Sequence, residues 1–142
     1  MTMHRGQCLC GSIRLEVTAD PISARACWCR LCQYLAAGNA TVNIVFPSEA
    51  VTITGDMAIY ESVADSGNAM QRGFCPKCGT QITSCAEVRP HLTIIRAGVF
   101  DEPELGKPGA VVWTEMAPDW VKLDPDIPHC EGQPAAPPPP AD

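Results

Sequence analysis

Basic side chains and long apolar runs are both scarce in this sequence. Only 10 of its 142 residues are lysine or arginine, against 16 aspartates and glutamates, and the formal net charge is -6. Nucleic acids and anionic membranes favour a basic protein face, so this charge argues against either as the main partner. No segment offers the roughly 20 apolar residues that a membrane-spanning helix needs. An anionic small substrate would require a local group of arginines.

The sequence also lacks a secretion signal at its start. Residues 1–10 contain no apolar stretch of the kind that forms the centre of a signal peptide. We therefore expect a cytoplasmic protein, in a compartment that keeps thiols reduced. Disulfides are further disfavoured by the odd total of 9 cysteines and by Cys-x-Cys spacings, which are too short for ordinary disulfide geometry. The cysteines are better interpreted as metal ligands.

Sustained helical periodicity is a third absence. Alternating or β-branched residues instead predict strands over residues 13–17, 42–46, 51–54, 57–60, 92–99 and 111–114. Short helices are expected only over residues 31–37 and 48–50. The sequence therefore predicts one mainly β domain with short helical turns.

The C-terminal end differs in composition from the rest. Residues 131–142 are rich in proline and contain no apolar pattern that a core could bury. We expect a folded domain over residues 1–130 and a loose, proline-rich tail over residues 131–142. A ligand for a proline-binding groove is the alternative for this tail.

Seven of the nine cysteines fall into three tight clusters, Cys8-x-Cys10-Gly11, Cys27-x-Cys29-x-x-Cys32 and Cys75-x-x-Cys78-Gly79. Seven thiolates cannot be divided evenly into closed four-coordinate sites. If four complete a structural zinc site, three remain to hold a second zinc whose fourth position is open. An open position is typical of a reactive zinc centre, so the odd number points to function.

The glycine-bearing knuckles permit one division of the ligands. In such a knuckle a tight turn places two sulfurs on one cation, and the glycine lets backbone N–H groups approach them. The first and third clusters could together close an all-thiolate structural site. The triplet Cys27, Cys29 and Cys32 would then form the open set. Spacing alone permits this pairing without proving it.

Other residues could close the open set and make it structural. The possible fourth ligands are Cys85, Cys130, His91 and His129. A lone cysteine is more often a buried small hydrophobe, and both histidines lie near prolines, where exposed loops are expected. An iron–sulfur cluster is a further alternative for the triplet, because soft thiolates suit either metal.

Taken in order, these motifs resemble a known family. They are Gly6-x-Cys8-x-Cys10-Gly11, the central triplet, and Arg72-Gly73-Phe74-Cys75-Pro76-Lys77-Cys78-Gly79-Thr80. Further similar segments are Tyr60-Glu61-Ser62, Arg96-Ala97-Gly98, Val112-Trp113-Thr114 and Ala117-Pro118-Asp119-Trp120. The sequence resembles the GFA family, the glutathione-dependent formaldehyde-activating enzymes, to which centromere protein V is related. The resemblance extends over about residues 4–130.

The resemblance implies a compact, twisted β-sheet fold with two zinc ions per chain. Cys8, Cys10, Cys75 and Cys78 would hold the structural zinc, and the triplet would hold the reactive one. The implied activity is that of a carbon–sulfur lyase, which joins a small thiol such as glutathione to formaldehyde and gives S-hydroxymethylglutathione. An open zinc suits both partners, because it lowers the pKa of a thiol and polarises a carbonyl. A homo-oligomer is compatible with the sequence.

Arg30 and Arg72 are the candidates for binding the carboxylates of glutathione, since a guanidinium binds a carboxylate through two hydrogen bonds.

Trp28 and Gln33 depart from the usual residues of the family at their positions, and an indole beside the reactive zinc would change the pocket mouth. Trp113 and Trp120 could line a pocket or belong to the core. A partner other than glutathione or formaldehyde therefore stays open, as does a non-catalytic, zinc-stabilised module that binds a thiol or a protein.

Overall fold

Two β-sheets make up most of the fold, and the computed structural model describes residues 2–134. The strands are β1 (His4–Gln7), β2 (Arg14–Val17), β3 (Ser23–Cys27), β4 (Thr41–Pro47), β5 (Val51–Thr54), β6 (Ala58–Val63), β7 (Ala69–Phe74), β8 (Gln81–Ala86), β9 (Leu92–Arg96), β10 (Ala110–Val112) and β11 (His129–Cys130). One α-helix, α1, spans Arg30–Leu35, and 3₁₀ turns span Ser48–Ala50, Ala97–Val99, Pro103–Gly106 and Thr114–Met116. The mainly β fold with short helical turns is confirmed.

The small sheet has the strand order β1-β2-β5, and the large sheet has the order β11-β10-β3-β4-β9-β8-β7-β6. Neighbouring strands are antiparallel except for β10, which runs parallel to both β3 and β11. In the described part of the chain, no helix is long and apolar enough to cross a membrane.

The hydrophobic core lies between the two sheets. In β2 the buried side chains of Leu15 and Val17 alternate with exposed polar residues, as expected of a strand with one solvated face. They belong to one cluster with Ile44, Phe46 and Ile95 of the large sheet. One face of the large sheet therefore packs against the small sheet in the core. We call the opposite face of the large sheet its outer face.

The outer face carries polar and charged side chains at its centre. Strand register pairs Arg25 of β3 with Asn43 of β4, and Asn43 with Arg96 of β9. Paired residues point to the same side of a sheet, so these three side chains form a row across it. Their neighbours Ile44 and Ile95 point into the core instead.

The strand predictions at residues 13–17, 42–46, 51–54, 57–60 and 111–114 correspond to β2, β4, β5, β6 and β10. The prediction over residues 92–99 was wrong in its second half, because β9 ends at Arg96 and Ala97–Val99 forms a 3₁₀ turn. That turn brings Phe100 to β1, where it forms a bridge with Gly6. A Cβ on Gly6 would lie 2.3 Å from the carbonyl oxygen of Val99, so only glycine fits this crossing.

The chain just after β11 is tied to the strand end near Trp113. The backbone N–H of Trp113 donates to the carbonyl of Gly132 at 3.3 Å, and its indole Nε1 donates to Oε1 of Gln133 at 2.9 Å. The domain boundary after residue 130 stays a prediction. Residues 135–142 of the predicted tail lie outside the described residues.

Candidate metal centres

The first and third cysteine clusters meet where the two sheets approach each other. Cys8 and Cys10 follow β1 of the small sheet, and Cys75 and Cys78 lie between β7 and β8 of the large sheet. All four sulfur atoms lie within 4.8 Å of one another. The sequence spacing permitted this grouping without proving it, and the fold places the four sulfurs together.

Both knuckles end in a glycine whose backbone is in the left-handed conformation. Gly11 and Gly79 have φ angles of +80° and +79°, a left-handed conformation that is costly for residues with a Cβ. The N–H of Gly11 donates to the carbonyl of Cys8 at 3.1 Å, and that of Gly79 donates to Cys75 at 2.8 Å. The glycine after each knuckle is therefore required by the turn that aims the two sulfurs.

The sulfur spacing of this four-cysteine centre fits zinc. The Sγ atoms of Cys8 and Cys10 are 3.7 Å apart, and those of Cys10 and Cys75 are 3.8 Å apart. A tetrahedron with zinc–sulfur bonds of about 2.3 Å has edges of about 3.8 Å. Four thiolates fill a tetrahedral shell completely, so this donor set suits a closed structural site.

Local hydrogen bonds favour the ionised form of one of these ligands. The pKa of Cys78 is lowered to about 5, first because its sulfur contacts the hydroxyl of Thr80, and also because backbone N–H groups are nearby. The distance between the two side-chain atoms is 3.2 Å. A cysteine that is a thiolate at neutral pH is ready to bind a cation.

The central triplet forms a second centre on the other side of the large sheet. Cys27 ends β3, Cys29 is the residue before α1, and Cys32 lies in the first turn of that helix. Their sulfurs lie within 4.8 Å of one another, and each residue is less than a tenth exposed. The backbone N–H of Cys32 donates to Sγ of Cys29 at 3.3 Å, which caps the helix. Within residues 2–134 no fourth histidine, cysteine or acidic residue joins this group.

Crowding sets the protonation of this three-cysteine centre. The pKa of Cys32 is lowered to about 3, chiefly because the thiols of Cys27 and Cys29 hydrogen bond to its sulfur, with smaller effects from Thr41 and the charge of Arg96. The pKa of Cys27 is raised, because its thiol donates hydrogen bonds to the sulfurs of Cys29 and Cys32 and is buried. Three thiolates this close together repel one another, and a divalent cation between them would offset that repulsion, so the donor set fits a bound metal. Three protein ligands leave one tetrahedral position for another molecule.

A cavity of about 120 Å³ opens onto these three sulfurs. Four of the ten basic residues of the chain lie in its lining, namely Arg25, Arg72, Arg89 and Arg96. Asp65, which is exposed, is the acidic residue among the described lining residues. The cavity is therefore cationic in a protein whose net charge is -6.

The two sequence-predicted arginines lie in different places. Arg72 lines the cavity and is 7% exposed; its Nε donates to the hydroxyl of Ser62 at 3.0 Å and its Nη1 to that of Ser84 at 3.4 Å. Arg30 is exposed on α1, and its guanidinium lies 5.1 Å from the ring centre of Tyr34, outside the cavity lining. The fold brings Arg72 to the three-cysteine centre and does not bring Arg30 there.

Sequence reasoning missed Arg96 as a site residue. It is 7% exposed, its Nη1 donates to Oδ1 of Asn43, and its Nε and Nη2 are buried without a hydrogen-bond partner among the described residues. Burial lowers the pKa of Arg96, the charge of Cys32 opposes this effect, and the charge of Arg72 adds to it. The available signal was a charged residue directly after the apolar pair Ile94 and Ile95 in a buried strand.

The two departures from the family pattern have structural roles. Trp28 is buried, packs edge-on against Trp120 at 6.3 Å between ring centres, and is not part of the cavity lining. Gln33 donates from Nε2 to the carbonyls of Trp28, at 2.8 Å, and Met116, at 3.0 Å. The indole that does line the cavity belongs to Trp113, whose φ of +58° is rare for a residue with a side chain.

None of the proposed extra ligands is a member of either sulfur group among the described residues. These ligands are Cys85, Cys130, His91 and His129. Cys130 packs against the three-cysteine centre as a partly buried apolar side chain, and Cys85 lines a separate cavity with Met57 and Ile59. Their positions favour the packing interpretation.

Comparison with known proteins agrees with the motifs and the geometry. A crystal structure of a Rhodobacter sphaeroides protein, a structural-genomics target, superposes with a TM-score of 0.55 at 13% identity, covering 88% of this chain and 98% of that one. At this identity it supports the fold alone. No curated protein matches the chain. The family model described as glutathione-dependent formaldehyde-activating enzyme matches residues 3–116, which include all seven clustered cysteines, so the chain belongs to the GFA family.

Proposed function

We propose that this protein is a zinc-dependent enzyme of the carbon–sulfur lyase type. It binds a small thiol, glutathione or a similar compound, at the centre formed by Cys27, Cys29 and Cys32. There it promotes addition of the thiol to formaldehyde or a related small carbonyl. The observation that carries this proposal is a buried group of three sulfurs that has no fourth protein ligand among residues 2–134 and opens onto a cationic cavity. A site built only for stability would be closed, as the four-cysteine centre is.

The residues of the three-cysteine centre divide the work. When bound there, zinc would keep a substrate thiol ionised near neutral pH and polarise a carbonyl oxygen. Cys27, Cys29 and Cys32 would hold the metal, and the positive charge of Arg96 lies close enough to Cys32 to lower its pKa. In the reaction a carbon–sulfur bond forms, the carbon–oxygen double bond becomes single, and the thiol proton is transferred to the oxygen.

Arg72 is the better supported of the two candidates for binding a substrate carboxylate. It lines the cavity beside the three sulfurs and its own partners are neutral hydroxyls. Arg30 points away to Tyr34, so a role for it would be confined to a substrate that reaches the outer surface of α1.

Exchange spectroscopy at equilibrium tests the activity, because thiols also add to formaldehyde without a catalyst and an enzyme must exceed that background. We expect the protein to accelerate exchange between glutathione and S-hydroxymethylglutathione. A Cys29→Ser variant should lose the acceleration, and a matched Cys85→Ser variant, altered in a separate cavity, should keep it. If the unaltered protein with two zinc ions gives only the background rate, the enzyme proposal is wrong and the non-catalytic binding module is left.

A further inference from the structure

Arg96 uses only part of its hydrogen-bonding capacity within the protein. Its Nη1 donates to Asn43, whereas Nε and Nη2 are both buried and have no partner among the described residues. Buried donors in folded proteins almost always have acceptors, and a guanidinium remains charged and offers five N–H groups. Two free nitrogens on one planar group match the two oxygens of a carboxylate.

Arg72 adds a second buried cation to the same cavity. Its partners, Ser62 and Ser84, are uncharged, and Ser84 of β8 is paired with both Arg72 of β7 and Ile94 of β9. This register places Arg72 on the same outer face as Arg96. Among the described residues, neither arginine has an acidic partner within ion-pair distance.

The three-cysteine centre does not balance these two charges. Three thiolates with one divalent cation carry a single net negative charge, whereas the two guanidinium groups carry two positive charges. Arg25 and Arg89 of the same lining add to the excess. With a substrate thiolate on the zinc the centre would carry two negative charges, and the four arginines of the lining still exceed these and Asp65 by one positive charge, which favours an acidic group on the substrate.

The cavity limits the size of the ligand portion that lies beside the sulfurs. Its volume of about 120 Å³ corresponds to about four water molecules, and pockets for larger ligands have about 300–1,000 Å³. An adjoining groove of about 430 Å³ has a mainly apolar lining and shares Arg25, Val45, Ala86, Arg89 and Ile94 with the cavity. The rest of a larger molecule could lie in that groove.

We propose that Arg72 and Arg96 form a carboxylate subsite beside the three-cysteine centre. One of the two reacting molecules, the thiol or the carbonyl compound, is therefore an acid whose carboxylate lies only a few bonds from its reacting atom. This inference rests on the proposed function of the centre and narrows its substrate class. Formaldehyde has no such group, and in glutathione both carboxylates belong to the residues on either side of the cysteine, each across a peptide bond from it.

Binding can be measured apart from catalysis. We would titrate the zinc-loaded protein with (methylthio)acetate, which has the carboxylate but no ionisable thiol, and with its uncharged amide. The acid is expected to bind at least tenfold more tightly than the amide. Equal binding of the two probes, or no binding of the acid, would overturn the subsite. This comparison uses the unaltered protein and holds whether or not the centre is catalytic.

Variants then assign the subsite to its residues. Arg96→Gln and Arg72→Gln should each weaken the acid at least tenfold and leave the amide unchanged, with partial recovery in Arg96→Lys. The control is Arg5→Gln, an exposed arginine paired with Glu16 on the small sheet. Zinc content and circular dichroism would be checked for each variant. Unchanged acid binding in both glutamine variants would contradict the assignment.

Exchange rates identify which partner carries the acid. If the thiol carries it, mercaptoacetate should react faster than 2-mercaptoethanol with formaldehyde, and Arg96→Gln should abolish the preference. If the carbonyl compound carries it, glyoxylate should be preferred over formaldehyde with 2-mercaptoethanol, with the same loss. Rates at background in every arm, together with tight acid binding, would refute the lyase activity and leave the carboxylate subsite standing. If the protein accelerates exchange equally for acidic and neutral substrates, the lyase activity stands and the carboxylate subsite is refuted.

Discussion

Exposure and hydrogen bonding distinguish the cysteines of this chain from one another. Cys10 is exposed at the edge of the four-cysteine centre, whereas Cys27, Cys29 and Cys32 are buried beneath the cavity. Cys85 is half-buried and lines a separate cavity with Met57 and Ile59. The same side chain can therefore be a candidate metal ligand in one place and a half-buried packing residue in another.

Replacing a ligand of the four-cysteine centre should remove one zinc and weaken the fold. For Cys10→Ser we expect about one zinc per chain fewer, and a loss of more than about 4 kcal/mol in the free energy of unfolding, because the metal crosslink between the sheets is lost. Zinc analysis and urea unfolding would measure both. Cys85→Ser is the matched control and should keep its metal. A Cys10→Ser protein of normal zinc content would contradict the grouping.

The role of a residue could be predicted from the sequence where that role depends on its neighbours along the chain. The knuckle glycines Gly11 and Gly79 could be predicted, because the turn is local and requires a positive φ. For Arg96 the local signal was weak, because arginines are usually exposed and its burial depends on the place of its strand in the centre of the large sheet. The choice of Arg30 rested on its closeness in sequence to the cysteines, and its role in binding a substrate stays a prediction.

Turns and strand ends decide how the elements present these side chains. The short helix α1 begins directly after Cys29 and so places two ligands one turn apart. The strand β5 was predicted with its observed bounds, because Thr52 and Thr54 alternate with apolar residues and Gly55 ends the run. The strand β8 was missed because its outer face carries Ser84 and lines a cavity, so it shows no contrast between core and solvent.

A single methyl group tests the knuckle turn. Gly79 has a φ of +79° with open space around its Cβ position, so Gly79→Ala should cost about 1 kcal/mol through backbone strain alone and lower zinc retention. Gly98→Ala is the control, because Gly98 also has open space but no positive φ. Thermal unfolding with and without a chelator would compare the two. Equal effects of both substitutions would contradict the proposed strain.

Across the whole molecule, the two candidate centres lie on different faces of the large sheet. The four-cysteine centre joins the small sheet to the β7–β8 turn, and the three-cysteine centre lies on the outer face beside β3 and α1. The twisted two-sheet arrangement that separates them is set by long-range pairing, which no local pattern in the sequence reveals. The separation allows one centre to stabilise the fold while the other exchanges ligands.

Metal removal should therefore proceed in two steps. A chelator should first take zinc from the three-cysteine centre, with the circular dichroism of the β-sheets retained, because three ligands hold a metal less firmly than four. Loss of the second zinc should then be accompanied by loss of structure. Zinc release and circular dichroism would be followed together. Simultaneous loss of both zincs and of the β signal would refute the division of roles.

The central claim is that the three-cysteine centre accepts a substrate thiol as its fourth ligand, and selenium-edge X-ray absorption tests it most directly. A small thiol whose sulfur is replaced by selenium would be added to the protein loaded with two zinc ions, and to Cys29→Ser as a control. We predict a zinc neighbour of selenium in the unaltered protein that is lost in the variant. A selenium spectrum with no zinc neighbour in the fully loaded protein would contradict the claim.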